Sequence, residues 1–178
     1  TAAVLAVGAG AVVYLVHNAS AYRLVRQDAG AAPVVLRTGA YSPTLGAEAA
    51  ATSSATFYAV GSPLSEVPVI RHPVGAGAGV AVPGVALTFP FDENSLAVVD
   101  GQVVFVSTVL DGAWVLTPTV SKLPARSGPG AVWLDQSAGR LAWADRRRVG
   151  GMQVYTRAAG AAGLGGEQRL GTSAWSSV

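Results

Sequence analysis

The stretch VVDGQVVFVSTVLDGAWVLTP, residues 98–118, decides the fold class of this chain. Two Asp-Gly pairs, Asp100-Gly101 and Asp111-Gly112, bracket a run of Val, Phe, Thr and Leu residues. Asp-Gly tolerates the positive φ angles that tight hairpin turns need, and β-branched and aromatic residues favour strands. The stretch therefore predicts consecutive antiparallel strands joined by short turns.

The segment between the two turns is apolar on both of its alternating faces. Val103 and Phe105 fall on one face of an extended chain, and Val104 and Val106 fall on the other. A strand with two apolar faces is covered on both sides, as in the interior of a sandwich or barrel. We therefore expect residues 103–110 to form a central strand.

The same pattern of short apolar segments separated by turn residues extends along the rest of the chain. The segments AVWL, RLAWA and MQVYTR continue it downstream, and residues 4–7, 11–16 and 33–39 are predicted strands upstream. Residues 20–30 could form a strand or a short helix, and we favour the strand. The Ala-rich segment within 40–55 is the exception, because its propensity favours a short helix or a loop. The fold prediction is all-β: an antiparallel β-sandwich or barrel, jelly-roll- or Greek-key-like, with long Pro/Gly-rich loops and little helix.

Residues 134–157 resemble a strand-turn-strand unit of a β-propeller blade. No similar segment recurs upstream at a fixed period, which argues against a propeller. We instead predict one β-rich domain over residues 1–157, with a regular meander at 96–157. The Gly/Ala/Ser-rich segment 158–178 is predicted to be a C-terminal arm packed on a partner.

The composition indicates assembly with other chains. Charged residues make up 12% of the chain, about half of the usual share, and the mean hydropathy is +0.42. A net charge of +2 gives little attraction to nucleic acid. The apolar run at 2–16 is interrupted by Gly8 and Gly10 and is shorter than the roughly 17–25 residues of a spanning helix, so a membrane partner is not expected.

No residue pattern predicts a catalytic, cofactor-binding or metal site. The absence of Cys excludes disulfides and thiolate ligands. His17 and His72 lie outside any metal-ligand spacing, and the Gly8-Ala9-Gly10 turn lacks the third small residue of a dinucleotide-binding loop. No cofactor is predicted.

One charged cluster is a candidate contact with a partner. Arg146, Arg147 and Arg148 follow one another at a predicted hairpin tip, where they would either contact an acidic neighbouring chain or remain solvated. Four aromatic residues of neighbouring strands are predicted to pack in the core, or to form a carbohydrate platform if two share an exposed face: Trp114, Trp133, Trp143 and Tyr155.

These observations favour a structural subunit of a large protein assembly over an enzyme. A viral capsid or capsid-surface (decoration) protein is the leading instance, which would place the chain in a virion, with itself or another shell protein as partner. The alternative is a secreted or cell-surface β-sandwich that binds carbohydrate or protein. An uncharacterised enzyme is the third hypothesis.

Overall fold

The computed structural model describes most of the chain. The described residues are 1–62, 65–75, 77–88, 96–99, 101–107, 112–116, 120–122, 133–137, 140–145, 153–160 and 163–172. The chain divides into two compact units, Thr1–Phe91 and Asp92–Val178.

The first unit contains two four-stranded antiparallel sheets. The strands of sheet A are β1 (Ala2–Gly8), β2 (Ala11–His17), β3 (Ala21–Asp28) and β4 (Val34–Ala40). The strands of sheet B are β5 (Gly46–Ala51), β6 (Ala55–Gly61), β7 (Glu66–Pro73) and β8 (Val80–Thr88).

The second unit also contains two four-stranded antiparallel sheets. The strands of sheet C are β9 (Leu96–Val99), β10 (Gln102–Ser107), β11 (Gly112–Val115) and β12 (Ser121–Lys122). The strands of sheet D are β13 (Trp133–Ser137), β14 (Arg140–Asp145), β15 (Gln153–Gly160) and β16 (Gly163–Thr172). The prediction of an all-β protein built from antiparallel sheets is confirmed.

Each sheet is an up-and-down meander. The strand order within every sheet follows the chain, so neighbouring strands are joined as hairpins and no Greek-key crossover lies within these sheets. The meander recurs four times, beginning at residues 2, 46, 96 and 133. Four-stranded sheets repeated in this way are the units of β-propellers. The four starts are unevenly spaced, so the meander recurs without the fixed period whose absence argued against a propeller.

The Ala-rich segment is a strand and not the helix or loop that its composition predicts. It forms β5, which pairs with β6 over its whole length. Ala49, Ala50 and Ala51 are all buried, and the small side chains of Ala49 and Ala51 pack in the core between the sheets, where β5 lies beside β1 of sheet A. Packing of this kind outweighs the modest intrinsic helix preference of alanine.

The described part of β10 agrees with the prediction of a covered strand. Val103 and Val104 point to opposite faces, and both have 0% exposure. The turn before β10 is the predicted one, since Gly101 has a φ of 74° and Gln102 pairs with Val99 across it. Residues 108–111 of the predicted strand and turn lie outside the described residues.

The predicted C-terminal arm contains regular structure. Residues 158–160 complete β15, and β16 pairs with β15 in the same chain. Residues 173–178 lie outside the described residues, and contact of this segment with a partner chain stays a prediction. Among the described residues, no helix has the length and apolar character needed to cross a membrane.

Candidate interaction surface

Sheet A packs on sheet B through one of its two faces. We call this the Leu24 face of sheet A, and it consists of Ala11, Val13, Leu15, Tyr22 and Leu24. It contacts a face of sheet B that we call the Tyr58 face, which consists of Ala47, Ala49, Ala51, Tyr58, Val60 and Ile70. Together these two faces form the apolar core between the sheets, and their burial from water stabilises the first unit.

Polar groups also link the two sheets. The Tyr58 hydroxyl donates a hydrogen bond to the Leu36 backbone oxygen of β4, 3.3 Å away. Burial raises the pKa of the Tyr58 phenol above its ordinary value, because the ionised form is poorly solvated there. Tyr58 therefore remains protonated, and available as a donor, throughout the neutral pH range.

Arg26 forms the second polar link. Its guanidinium is buried, and Nη1 donates to the Ala55 carbonyl oxygen at 3.2 Å and to the Thr56 hydroxyl at 3.1 Å in sheet B. Nε and Nη2 donate to the carboxylate of Asp28, with a shortest distance of 2.6 Å. This hydrogen bond lowers the pKa of Asp28. The buried charge is thus fully paired, which is the condition under which burying an arginine is tolerated.

The opposite face of sheet A is also apolar, and we call it the Tyr14 face. Strand register places its members side by side: Val4 opposite Tyr14, Val7 opposite Val12, Tyr14 opposite Val25, and Val25 opposite Val35. A register shift between Val4 and Ala6 brings both Val4 and Val7 to this face. The Tyr14 face consists of Ala2, Val4, Val7, Val12, Tyr14, Val16, Val25 and Val35.

Much of the Tyr14 face is exposed. The exposed fraction is 65% for Val4, 76% for Val7 and 49% for Val35, whereas at the centre of the face Tyr14 is half-buried and Val25 is buried, with 5% exposure. Polar residues border the apolar area: Arg23, opposite Val16, is exposed. An apolar face with several exposed side chains and a polar border is typical of a site of contact with another molecule.

The structure reveals a repeat in the second strand of every sheet. The first two strands of each sheet pair up to positions that are separated by a turn segment of two residues: Gly8 pairs with Ala11, Thr52 with Ala55, Val99 with Gln102, and Ser137 with Arg140. The fourth residue after each turn is aromatic, and these residues are Tyr14, Tyr58, Phe105 and Trp143. The position is therefore the same in β2, β6, β10 and β14.

Sequence reasoning missed the Tyr14 face, although a signal for it was present. The segments AVVYLV (11–16) and ATFYAV (55–60) share Ala, Tyr and Val at the same places after a turn. Loops of unequal length separate the four meanders, so a search for a fixed period does not detect the repeat. Aligning the strands on their turns would have identified it.

The histidines are brought neither to each other nor to a common site. His17 ends β2 as expected, and its ring stacks on Tyr41 with centroids 3.8 Å apart. His72 lies in β7, with Nδ1 3.0 Å from the Pro73 carbonyl oxygen. No cluster of three or more His, Asp or Glu residues that could hold a metal ion occurs within the described part of the chain.

The other candidate residues fall partly outside the described residues. Arg146, Arg147 and Arg148 lie there, between the paired strands β14 and β15, and their contact with a partner stays a prediction. Trp143 is opposite Tyr155 in the register of sheet D, and Tyr155 is buried. Its burial agrees with a role in core packing and counts against Tyr155 as half of an exposed carbohydrate platform.

The sequence was also compared with known proteins. No protein-family model matches the chain, and no curated protein shows significant similarity to it.

Proposed function

We propose that this chain is a structural subunit of a protein assembly and that it associates through the Tyr14 face of sheet A. The observation that carries the proposal is the exposure of Val4, Val7 and Val35 on one continuous apolar face. Burying that face against another chain would be favourable at about 25 cal/mol for each Å² of apolar surface removed from water. The role is one of binding and scaffolding, and we assign no catalytic residue.

The size of the face supports stable association. Four strands of about seven residues cover roughly 23 Å by 19 Å, using the usual spacings of a β-sheet. Two such faces in contact, with the relief of their side chains included, would bury roughly 1,000 Å² of accessible surface, which reaches the lower range of specific protein interfaces. The low charge content of the whole chain, 12%, favours the same conclusion.

We further propose that the assembly is a protein shell, the kind of assembly that the composition favours. A shell protein, such as a viral capsid or capsid-surface protein, works by this kind of association between chains and fits a chain that is rich in small apolar residues. A virion is the corresponding location. Purifying the native particle that contains the chain, and identifying its other components, would test this finer assignment separately from the docking face.

Two adjacent valines provide a matched test of the docking face. Val34 and Val35 lie in the same strand, and each is 49% exposed. Val35 is opposite Val25 on the Tyr14 face, whereas Val34 is opposite Arg26 on the other side of the sheet. We expect Val35→Lys to abolish association in multi-angle light scattering and Val34→Lys to leave it unchanged. Equal effects of the two substitutions on molar mass would contradict the proposal.

A further inference from the structure

We infer that the Tyr14 face binds the Tyr14 face of a second copy of this chain in a symmetric pair. The two-fold axis of the pair runs across the strands, so that Arg23 of each copy lies opposite Gln27 of the other. This inference rests on the proposed function and adds the identity of the partner and the orientation of the contact. Three observations support it: where the exposed apolar side chains lie, how residues are ordered across sheet A, and where its polar side chains lie.

The exposed apolar side chains point to a second copy as the partner. Val4, Val7, Val16 and Val35 are all exposed on the Tyr14 face. The other exposed large apolar side chains of the described residues share no strand with one another: Val34, Val74, Val80, Val120 and Leu170. An apolar face is covered best by another apolar face, because polar groups buried without partners are costly. In the described part of the chain, the surface that offers such a face is the Tyr14 face itself, and two of them in contact reach the roughly 1,000 Å² of a specific interface.

Strand register orders the Tyr14 face into three rows that run across the strands. The middle row consists of Val4, Tyr14, Val25 and Val35. One outer row, which we call the Val16 row, consists of Ala2, Val16, Arg23 and Thr38. The other outer row, which we call the Val12 row, consists of Val7, Val12 and Gln27. The polar members of these rows all lie on β3 and β4, so the face has an apolar half on β1 and β2 and a mixed half beside it.

Two packed sheets can be related by a two-fold axis along the strands or across them, and both axes keep the strands of the two sheets aligned. An axis along the strands, between β2 and β3, places each row over itself. Arg23 of one copy then lies over Val16 of the other, which removes a guanidinium from water without giving it an acceptor. An axis across the strands, through the middle row, places the Val16 row over the Val12 row. Arg23 then lies opposite Gln27, and Val16 lies opposite Val12.

The axis across the strands gives both polar side chains a partner. The Arg23 guanidinium can donate to the carboxamide oxygen of Gln27 in the second copy, and the symmetry makes this contact twice. The two residues cannot meet within one copy, because they are four positions apart in β3 and therefore about 13 Å apart. Both are exposed in the isolated chain, so substitutions at these positions should leave folding intact. This orientation covers the exposed valines and keeps the charge hydrogen-bonded, and we therefore assign it.

Charge exchange between the two positions tests the orientation. Gln27→Lys places a like charge opposite Arg23 of the second copy, and we expect the dissociation constant of the pair to rise about tenfold. The double variant Arg23→Glu/Gln27→Lys places opposite charges at the same two contacts, and it should return the dissociation constant to within about threefold of the wild-type value. Sedimentation equilibrium at low ionic strength measures these constants and shows whether the complex contains two chains.

Val80→Lys is the matched control for Gln27→Lys. Val80 lies in β8 of sheet B, away from the Tyr14 face, and is 67% exposed. The substitution adds the same charge to the chain as Gln27→Lys, so it reproduces any effect of net charge alone. We expect it to leave the dissociation constant unchanged, and circular dichroism of each variant verifies that the chain is folded.

The outcomes separate the inference from the proposed function. If Gln27→Lys has no more effect than Val80→Lys, or if the double variant associates no more strongly than Gln27→Lys, the two positions do not meet across the pair and the inference is overturned. The proposed function then stands as long as Val35→Lys still abolishes association. A wild type that remains monomeric at millimolar concentration also overturns the inference, because a second copy is then not the partner. The proposed function fails with it, unless Val35→Lys prevents binding to a different chain.

Discussion

At the scale of single residues, the tightest backbone constraint lies in the first hairpin. Ala9 has a φ of 52° and Gly10 a φ of 74°, the two positive values that a type I′ turn requires. Glycine adopts this conformation without strain, but for alanine it costs about 1 kcal/mol, because Cβ crowds the following carbonyl oxygen. The hairpin that supports the Tyr14 face is therefore not optimised for stability.

We expect Ala9→Asn to stabilise the first unit by about 0.5–1 kcal/mol, because asparagine tolerates positive φ better and Asn-Gly is the preferred type I′ pair. The midpoint of urea unfolding measures the effect. Ala31→Asn is the control, since Ala31 is exposed and is not among the residues with positive φ. A lower midpoint for Ala9→Asn than for the wild type would contradict the assignment of this turn.

The buried Arg26 gives a second prediction. Asp28→Asn removes the counter-charge of the Arg26 guanidinium, which is 3% exposed. We expect this substitution to lower the free energy of unfolding by about 2 kcal/mol. The loss is smaller than the full cost of breaking a buried ion pair because Asp28 is partly exposed. Glu66→Gln, at an exposed position, should change stability by less than about 0.5 kcal/mol. Denaturant unfolding at neutral pH compares the two, and similar losses would contradict the role of Asp28.

The same ion pair predicts a pH dependence. Arg26 lowers the pKa of Asp28 below its ordinary value of 3.8 in the folded state. The contribution of the pair is therefore complete above pH 3.8 and is lost as the pH falls through the lowered value. The wild type should lose stability more steeply than Asp28→Asn as the pH falls below 4. Parallel stability curves for the two proteins over this range would contradict the linkage.

At the scale of strands and sheets, the success of sequence reasoning depended on turns. Asp100-Gly101 and the alternating residues after it predicted β9 and β10 because turn chemistry and strand pattern agreed there. The Ala-rich β5 was missed because its strand state comes from close packing against β1, which is a contact between residues distant in sequence. The repeat of Tyr14 and Tyr58 was missed because unequal loops hide it, and the exposure of one face of sheet A is a property of tertiary structure.

We expect Val104→Asp to unfold the second unit, because Val104 is completely buried and an unpaired carboxylate there costs several kcal/mol. Leu170→Asp, in β16 of the same unit, is the control, since Leu170 is 64% exposed. Circular dichroism and the thermal midpoint of each variant report the result. A Val104→Asp variant with an unchanged midpoint would show that β10 is not central to its unit.

At the scale of the whole molecule, we propose that one apolar face of the first sheet is used for association. Two different observations support it. The whole chain has few charges, and the Tyr14 face, on which Val4 and Val7 are exposed, has a tyrosine at the same strand position as the covered Tyr58 face. Neither observation depends on the arginine cluster 146–148. This cluster would act as a separate contact. Replacing its three arginines by serine should weaken assembly without affecting folding.

The concentration dependence of thiol labelling shows whether the Tyr14 face becomes covered when chains associate. The chain has no cysteine, so Val4→Cys and Val80→Cys each introduce a single thiol at positions of nearly equal exposure, 65% and 67%. As the protein concentration is raised from micromolar to millimolar, the labelling rate of Val4→Cys should fall at least tenfold while that of Val80→Cys stays constant. Labelling of Val4→Cys at the same rate across the whole range would contradict the claim that the Tyr14 face is a docking surface.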